Sequence, residues 1–504
     1  MKREFKILLL YPNLRSESLV PPSITLLSRI LKNNGFITDL FDSTIYEIDS
    51  ERDADRIRER FLATRTSDHI SNNKKDTLFK DLNNKINAFS PDLIAVSTTE
   101  STFLVGIELL KGIKKVKPPV IVGGVFATFA PQKALQFKEV DMICVGEGEE
   151  TLLELCKKMS LNRDHSKING LWVKDKKGNI VRNPMRKPVN IDRNPTNFDI
   201  GLFSEQRLYR PMGGRLYRML PVETHRGCPY GCRYCNSPAQ NKLHLEETGG
   251  SFFRKKSNKK IQEEIIHYRN KWNVEYFFFW ADTFLAMPLK EFDEFCEMYS
   301  DIKIPFYAQT RPETVSKKRL SQLKEVGLHR IGFGVEHGNE EFRKKILNRH
   351  YSNKKIIAKL KIVSDLDIIL STSNMIGLPK ETPQLAMDTI ELNRQVSSDT
   401  VSSSIFMPFH GTPLRELSER ENYINPEIIC PSNNDKPILT MPQFSAERIK
   451  GIRRTFSMYI KFPKKRWPEI KKAEQFTPEG NAQWEKLRKE FVKTFFGKKP
   501  ESEF

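Results

Sequence analysis

A chain of 504 residues is too long for a single hydrophobic core and implies two to four domains. Its apolar content, 38%, is ordinary for a soluble protein, and its longest apolar stretch, around Tyr276 to Met287, is interrupted by Asp282 and is too short for the roughly 20 residues of a membrane span, which excludes a transmembrane helix. The formal charge of +20 admits a nucleic-acid partner, an anionic surface or an acidic substrate, but the basic residues are spread along the chain with acidic ones among them, which reads as a solvated surface and makes nucleic acid the lesser expectation.

The amino terminus, MKREFKILLLYPN, carries basic residues and a short apolar run without a small-residue cleavage site, and reads as mature cytoplasmic protein. Residues 1–161 then alternate short apolar runs with helical patterns. The expected strands are Lys6–Tyr11, Ile37–Phe41, Leu93–Ser97, Val120–Gly123 and Met142–Val145, with helices over Ser23–Asn34, Phe103–Lys115 and Glu149–Met159. Five such units predict a doubly wound, Rossmann-like or flavodoxin-like parallel sheet. Asp49–Lys85 is a polar insertion expected to add surface helices and no core.

Residues 162–215 are polar and proline-bearing, a linker with one hairpin signal in LWVKDKKGNIVRNP. From 216 to 430 strand-like runs return: YFFFW, IPFYAQ, RIGFGV, IILSTSNMI and VSSSIFMPF, alternating with helical patterns, which predicts a full or partial β/α barrel. Residues 431–504 are basic and helix-prone, with Trp467 and Trp484 on charged segments.

Three of the seven cysteines fall in the Gly- and Pro-rich segment VETHRGCPYGCRYCNSP, after a strand-like run. Cys228, Cys232 and Cys235 are close enough for one loop to fold all three sulfurs around a single inorganic centre. An iron–sulfur cluster, a zinc ion with His225 as fourth ligand, and three unrelated thiols are the competing readings; no second Cys pair completes the usual zinc pattern. Cys144, Cys156, Cys296 and Cys430 stand singly among apolar residues and read as core.

The spacing Cys228-x-x-x-Cys232-x-x-Cys235, with Tyr234 before the last cysteine, resembles the signature of the radical S-adenosylmethionine (SAM) superfamily. That resemblance implies a 4Fe-4S cluster with one iron free to chelate SAM, whose reductive cleavage yields a 5′-deoxyadenosyl radical. It also implies an electron donor such as flavodoxin or ferredoxin. Downstream, Asp282 ends YFFFWAD and precedes Phe284, Arg311 follows YAQT, Glu336 ends IGFGVE, and Gly377 lies in NMIGLPKET; in similar enzymes these positions, with Tyr234, face SAM. Carboxylates suit its ammonium and hydroxyl groups, and an arginine suits its carboxylate. The bland alternatives are Asp282 as a helix cap and Glu336 in a surface pair with Arg330 or Arg343.

The amino-terminal pattern is similar to the cobalamin-binding domain that precedes the barrel in a large subgroup of these enzymes, through LLLYPN, PDLIAVSTTEST, VIVGGVFATFAP and MICVGEGEETLLEL. The resemblance implies cobalamin contacts from Ser97, Thr98, Gly123, Gly124, Gly146, Glu147 and Gly148, at strand ends where small residues admit a large ligand. The loop after the first strand, NLRSESLVPP, contains no histidine to ligate cobalt, so a domain without cobalamin stays open.

The leading expectation is thus a cobalamin-dependent radical SAM enzyme that methylates or rearranges an unactivated carbon or phosphorus centre of a small-molecule, lipid or peptide substrate through a 5′-deoxyadenosyl radical. A tRNA methylthiotransferase-like enzyme and a metal-stabilised nucleic-acid-binding protein remain as alternatives.

Overall fold

The computed structural model of the chain describes residues 4–14, 19–48, 77–114, 117–175, 177–212, 215–431 and 436–496. Five parallel strands open the fold: β1 (Lys6–Tyr11), β2 (Ile37–Asp42), β3 (Leu93–Ser97), β4 (Val120–Gly123) and β5 (Met142–Cys144). Between and after them run α1 (Pro22–Asn33), α2 (Leu78–Phe89), α3 (Glu100–Lys111), α4 (Val125–Phe129), α5 (Pro131–Leu135) and α6 (Gly148–Ser160). Alternation along β1 shows why the sheet is covered twice. Ile7 and Leu9 join one core with α1 and α6, whereas Leu8 and Leu10 join another with α2 and α3. Strand order is β2-β1-β3-β4-β5, the doubly wound arrangement expected.

The hairpin signal is realised as β6 (Leu171–Lys174) and β7 (Ile180–Arg182), which extend this sheet antiparallel beyond β5. One expectation fails nearby. Of the insertion Asp49–Lys85, residues 49–76 lie outside the described ones, but its end is not surface: Leu78 and Leu82 of α2 are buried with Ile86, because their spacing of four places all three on the face against the sheet.

The second sheet has the order β16-β15-β14-β13-β12-β9-β8 and curls into a half-barrel. It begins with an antiparallel pair, β8 (Tyr209–Met212) and β9 (Arg215–Glu223), that the expected run of βα units did not include. A two-residue ribbon, β10 (His225–Arg226) with β11 (Arg254–Lys255), brackets the cysteine loop and α7 (Asn236–Thr248). There follow α8 (Asn258–Trp272), β12 (Tyr276–Trp280), α9 (Leu289–Tyr299), β13 (Phe306–Thr310), α10 (Lys317–Val326), β14 (Leu328–Glu336), α11 (Glu340–Lys345), α12 (Asn353–Asp365), β15 (Ile369–Ile376), α13 (Pro383–Arg394), β16 (Thr400–Ile405) and α14 (Pro413–Arg420).

The carboxyl-terminal helices α15 (Ala446–Lys461), α16 (Trp467–Ala473) and α17 (Pro478–Phe491) close the far side. Helix α15 lies along β16, where Arg453 Nε donates to the Ser403 carbonyl at 3.1 Å and the Ser457 hydroxyl to the Val401 carbonyl at 3.4 Å. Trp467 and Trp484 pack inward against this cluster, so neither serves as an exposed stacking platform. Among the described residues no helix is long and apolar enough to cross a membrane.

Candidate functional site

The cysteine loop leaves the ribbon through Gly227 at φ 86°, where a Cβ would stand 2.9 Å from the Phe252 carbonyl oxygen, so only glycine fits. The loop is then stitched to the segment after α11: Arg233 N–H donates to the Leu347 carbonyl at 3.2 Å and the Asn348 amide to the Gly231 carbonyl at 2.7 Å. Cys235 caps α7, its sulfur accepting from Ser237 N–H at 3.4 Å.

All three sulfurs line one cavity of about 190 Å³ at the carboxyl ends of the barrel strands, together with Tyr234, Asp282, Arg311 and Glu336. Burial pushes the Cys228 thiol up and the Cys235 thiol up to about 12, so a positive centre is needed to hold them as thiolates. His225, the possible fourth zinc ligand, is absent from this lining: its Nδ1 is hydrogen-bonded to the Thr224 hydroxyl at 2.8 Å and its ring stacks on Phe253. Among the described residues no three His, Cys, Asp or Glu side chains are gathered as a site for a single metal ion.

Asp282 does not cap the following helical turn, whose cap is Thr283. Burial raises its carboxyl above the usual range, against a hydroxyl contribution from Ser237. Arg311 stacks on Tyr230 at 3.9 Å, donates from Nη1 to Cys232 Sγ at 2.9 Å and from Nε to Glu313 at 2.6 Å. Glu336, at φ 70°, pairs with neither Arg330 nor Arg343. Its Oε1 accepts from the Tyr234 hydroxyl at 2.9 Å and stands 3.1 Å from Nη1 of the buried Arg349, which also donates to the Gly334 carbonyl at 2.8 Å. Arg349 lines the cavity and was not foreseen; it lies in the polar stretch NRHYS, which has no spacing signal of its own. Gly377 is outside the cavity wall. At φ 82° it turns the chain after β15, its N–H donates to Glu381 at 2.6 Å, and a Cβ there would meet Ile449.

A second cavity, about 240 Å³, sits at the carboxyl ends of the first sheet and is lined by Ser97, Gly123, Gly124, Gly146, Glu147 and Gly148. Thr98 is not in its wall, though its buried hydroxyl has no hydrogen-bond partner. Gly124, at φ 115°, must be glycine, since a Cβ would stand 1.9 Å from the Thr98 carbonyl oxygen. Apolar side chains of Leu9, Ile24, Leu27 and Ile121 line it as well. Its wall also includes residues that sequence reasoning missed, Glu223, Arg226, Gln240 and Phe252, all from the segments flanking the cysteine loop.

Glu147 joins the two halves. It accepts from Arg226 Nη1 at 2.7 Å, from Arg254 Nη2 at 2.6 Å and from Val189 N–H at 2.7 Å. Burial alone would raise its carboxyl, but Arg254 and Arg226 outweigh that and hold it at about 2. A second junction is made by Glu100, which accepts from His410 N–H, His410 Nδ1 and Cys430 N–H, each at 2.8 Å. Asn236, beside Cys235, donates to the His410 carbonyl at 2.9 Å.

Comparison with known proteins agrees with this layout. The model of the Radical SAM superfamily matches residues 222–392 and that of the B12 binding domain residues 17–156. An uncharacterised methyltransferase of Pyrococcus horikoshii is 26% identical over 402 residues, covering 77% of this chain and 82% of that one. Among solved structures, the cobalamin-dependent SAM radical enzyme OxsB with aqua-cobalamin and SAM bound superposes with a TM-score of 0.63 at 17% identity, covering 98% of this chain and 72% of that one. The radical SAM methyltransferase TsrM from Kitasatospora setae, with cobalamin and a [4Fe-4S] cluster bound, gives 0.62 at 15% identity over 84% and 76%. A three-cysteine loop at the mouth of a half-barrel, joined by buried ion pairs to a doubly wound sheet, thus places the chain in the radical SAM superfamily, among the enzymes that carry a B12-binding domain ahead of the barrel.

Proposed function

We propose that the chain is a cobalamin-dependent radical SAM methyltransferase. The observation that carries this reading is the pair of cavities at the carboxyl ends of two sheets, the cysteine loop lining the first, the segments that flank it lining the second, and α7 giving Pro238 to the one and Gln240 to the other. On this reading residues 1–161 hold cobalamin, 162–215 connect, 216–430 form the radical SAM core and 431–504 cover it.

Cys228, Cys232 and Cys235 would hold a 4Fe-4S cluster, a donor set of thiolates that suits iron–sulfur chemistry. When bound, that cluster supplies the electron that cleaves SAM, and cobalamin supplies a carrier for the methyl group. The chain's own residues bind and orient. Glu336, fixed by Tyr234 and Arg349, offers a carboxylate to ribose hydroxyls or an ammonium group; Asp282 offers a second; Arg311 and Arg349 offer forked donors to a carboxylate. Gly332 and Gly334 leave the inner face of β14 bare, and a Cβ on Gly334 would meet Glu336 Oε1 at 2.1 Å. The first cavity is therefore kept open by the absence of side chains there. The second has Gly123, Gly124, Gly146 and Gly148 in its wall, which brings bare backbone to a ligand there.

Anaerobic purification with iron, sulfide and cobalamin analysis tests the proposal. Four irons and one cobalamin per chain, with 5′-deoxyadenosine or S-adenosylhomocysteine formed from SAM under reduction, are the expected result. Zinc in place of iron, or no SAM turnover by the iron-loaded chain, would overturn it.

A further inference from the structure

The three sulfurs of the cysteine loop face unlike donors. Cys228 meets neutral ones, the Thr283 hydroxyl at 3.4 Å and the Tyr230 backbone N–H. Cys235 Sγ accepts from Ser237 N–H at 3.4 Å. Cys232 Sγ accepts from a charged group, Arg311 Nη1, at 2.9 Å.

Arg311 is held there from two other sides. Its Nε and Nη2 both reach Glu313 Oε1 at 2.6 Å, and its guanidinium lies over the Tyr230 ring, 3.9 Å from the centroid. Glu313 belongs to the helical turn Pro312–Thr314 that follows β13, whereas Tyr230 stands between Cys228 and Cys232 in the loop itself. The arginine is buried, so its charge is little screened. Each terminal nitrogen keeps a second N–H for a carboxylate in the cavity, so the sulfur contact is additional to the SAM contact proposed above.

A guanidinium aimed at a thiol is a strong donor on a weak acceptor; aimed at a thiolate it makes a charge-assisted bond. Its effect on a bound cluster follows from charge. When the cluster takes up one electron, no bond is made or broken at the protein, and the negative charge on the sulfurs rises. A fixed cationic donor on one of them therefore stabilises the reduced form more than the oxidised one.

We infer that Arg311 raises the reduction potential of the cluster through Cys232, and that Tyr230 and Glu313 are positioning residues that keep the guanidinium on that sulfur. The inference rests on the reading above. The electron comes from an external one-electron donor, for which dithionite serves in the test.

The full chain is reconstituted anaerobically with iron and sulfide and left without SAM, so that a lost SAM contact cannot contribute. Dithionite and redox mediators set the potential, and paramagnetic resonance of the reduced cluster reads the midpoint. Arg311→Gln is expected to lower the reduced-to-oxidised ratio at fixed potential about tenfold, a downward shift of about 59 mV for one electron. Tyr230→Leu, which removes the ring under the guanidinium, should shift the midpoint the same way, and Tyr230→Phe, which keeps a ring, should hold the wild-type value. The sign separates this from a merely looser loop: water admitted to the cluster favours the more negative reduced form and would move the midpoint up. A wild-type midpoint in Arg311→Gln would overturn the inference. Should that variant hold no iron, equal midpoints in the two Tyr230 variants, or a rise in Tyr230→Leu, would overturn it. A wild type that assembles no 4Fe-4S cluster would instead remove the underlying reading, and the inference with it.

Discussion

Replacing Glu147 by Gln tests the junction between the two halves most directly. The carboxylate is bracketed by Arg226 at 2.7 Å and Arg254 at 2.6 Å, and all three side chains are mostly withdrawn from water. Glutamine keeps an acceptor but removes the charge, and its amide NH₂ must then face a guanidinium. Breaking a buried pair on one side costs about 3–5 kcal/mol, because the partner charges stay buried. An independent route gives a similar figure. A carboxyl held at about 2 instead of 4.5 corresponds to roughly 3 kcal/mol of stability. The sign follows from the lowered value: the contribution is complete above about pH 4.5 and is lost as pH falls toward 2. Urea titrations at pH 7 should show a drop of that size in the first unfolding step, at unchanged slope, and as pH falls from about 5 to about 3 the variant should lose less stability than the wild type. A loss below about 1 kcal/mol with parallel pH profiles would refute the reasoning, and would mean that Arg226 and Arg254 are neutralised by Glu149 and Glu223 without Glu147.

Cys232→Ala should yield a folded chain whose iron content falls to background after reconstitution, since two thiolates are too few to retain four irons; full iron content would contradict the ligand assignment. Glu336→Ala should weaken SAM binding by about one to two decades, the cost of a charged hydrogen bond of about 1.5–3 kcal/mol, measured by equilibrium dialysis on iron-loaded protein. Gly334→Ala should reduce the same affinity by about tenfold with an unchanged circular dichroism spectrum, because its Cβ would stand 2.1 Å from Glu336 Oε1 and must displace the carboxylate. Wild-type affinity in that variant would show that Glu336 is free to move without consequence.

The sequence was most readable where one local rule decides the outcome. The apolar runs of β1, β3 and β4 are bounded as expected, because strands buried on both faces leave continuous hydrophobic stretches. The cysteine spacing, Asp282, Arg311 and Glu336 were likewise legible, since each ends a strand-like run and barrel strands deliver their ends to one cavity. What escaped was set by pairing across long sequence separations. Nothing near Glu147 announces Arg226 or Arg254, which lie 79 and 107 residues away, and Arg349 reaches Glu336 only because β14 and the loop after α11 fold back on each other. Gly377 is a different case: a glycine in a suggestive loop makes its own turn, tied to Glu381, and does not line the cavity.

The contact of α15 with β16 has a further consequence for how the chain survives in concentrated solution. A half-barrel does not close on itself, so β16 ends the sheet with backbone carbonyls facing outward. A bare edge of that kind is a template on which another strand pairs, and thence a route to aggregation. Arg453 and Ser457 occupy the Ser403 and Val401 carbonyls, so side chains of a helix take the positions a foreign strand would claim. The carboxyl-terminal helices therefore act as a guard on the open edge, and a chain cut before Ala446 would be driven toward intermolecular sheet formation even with every residue of both cavities intact.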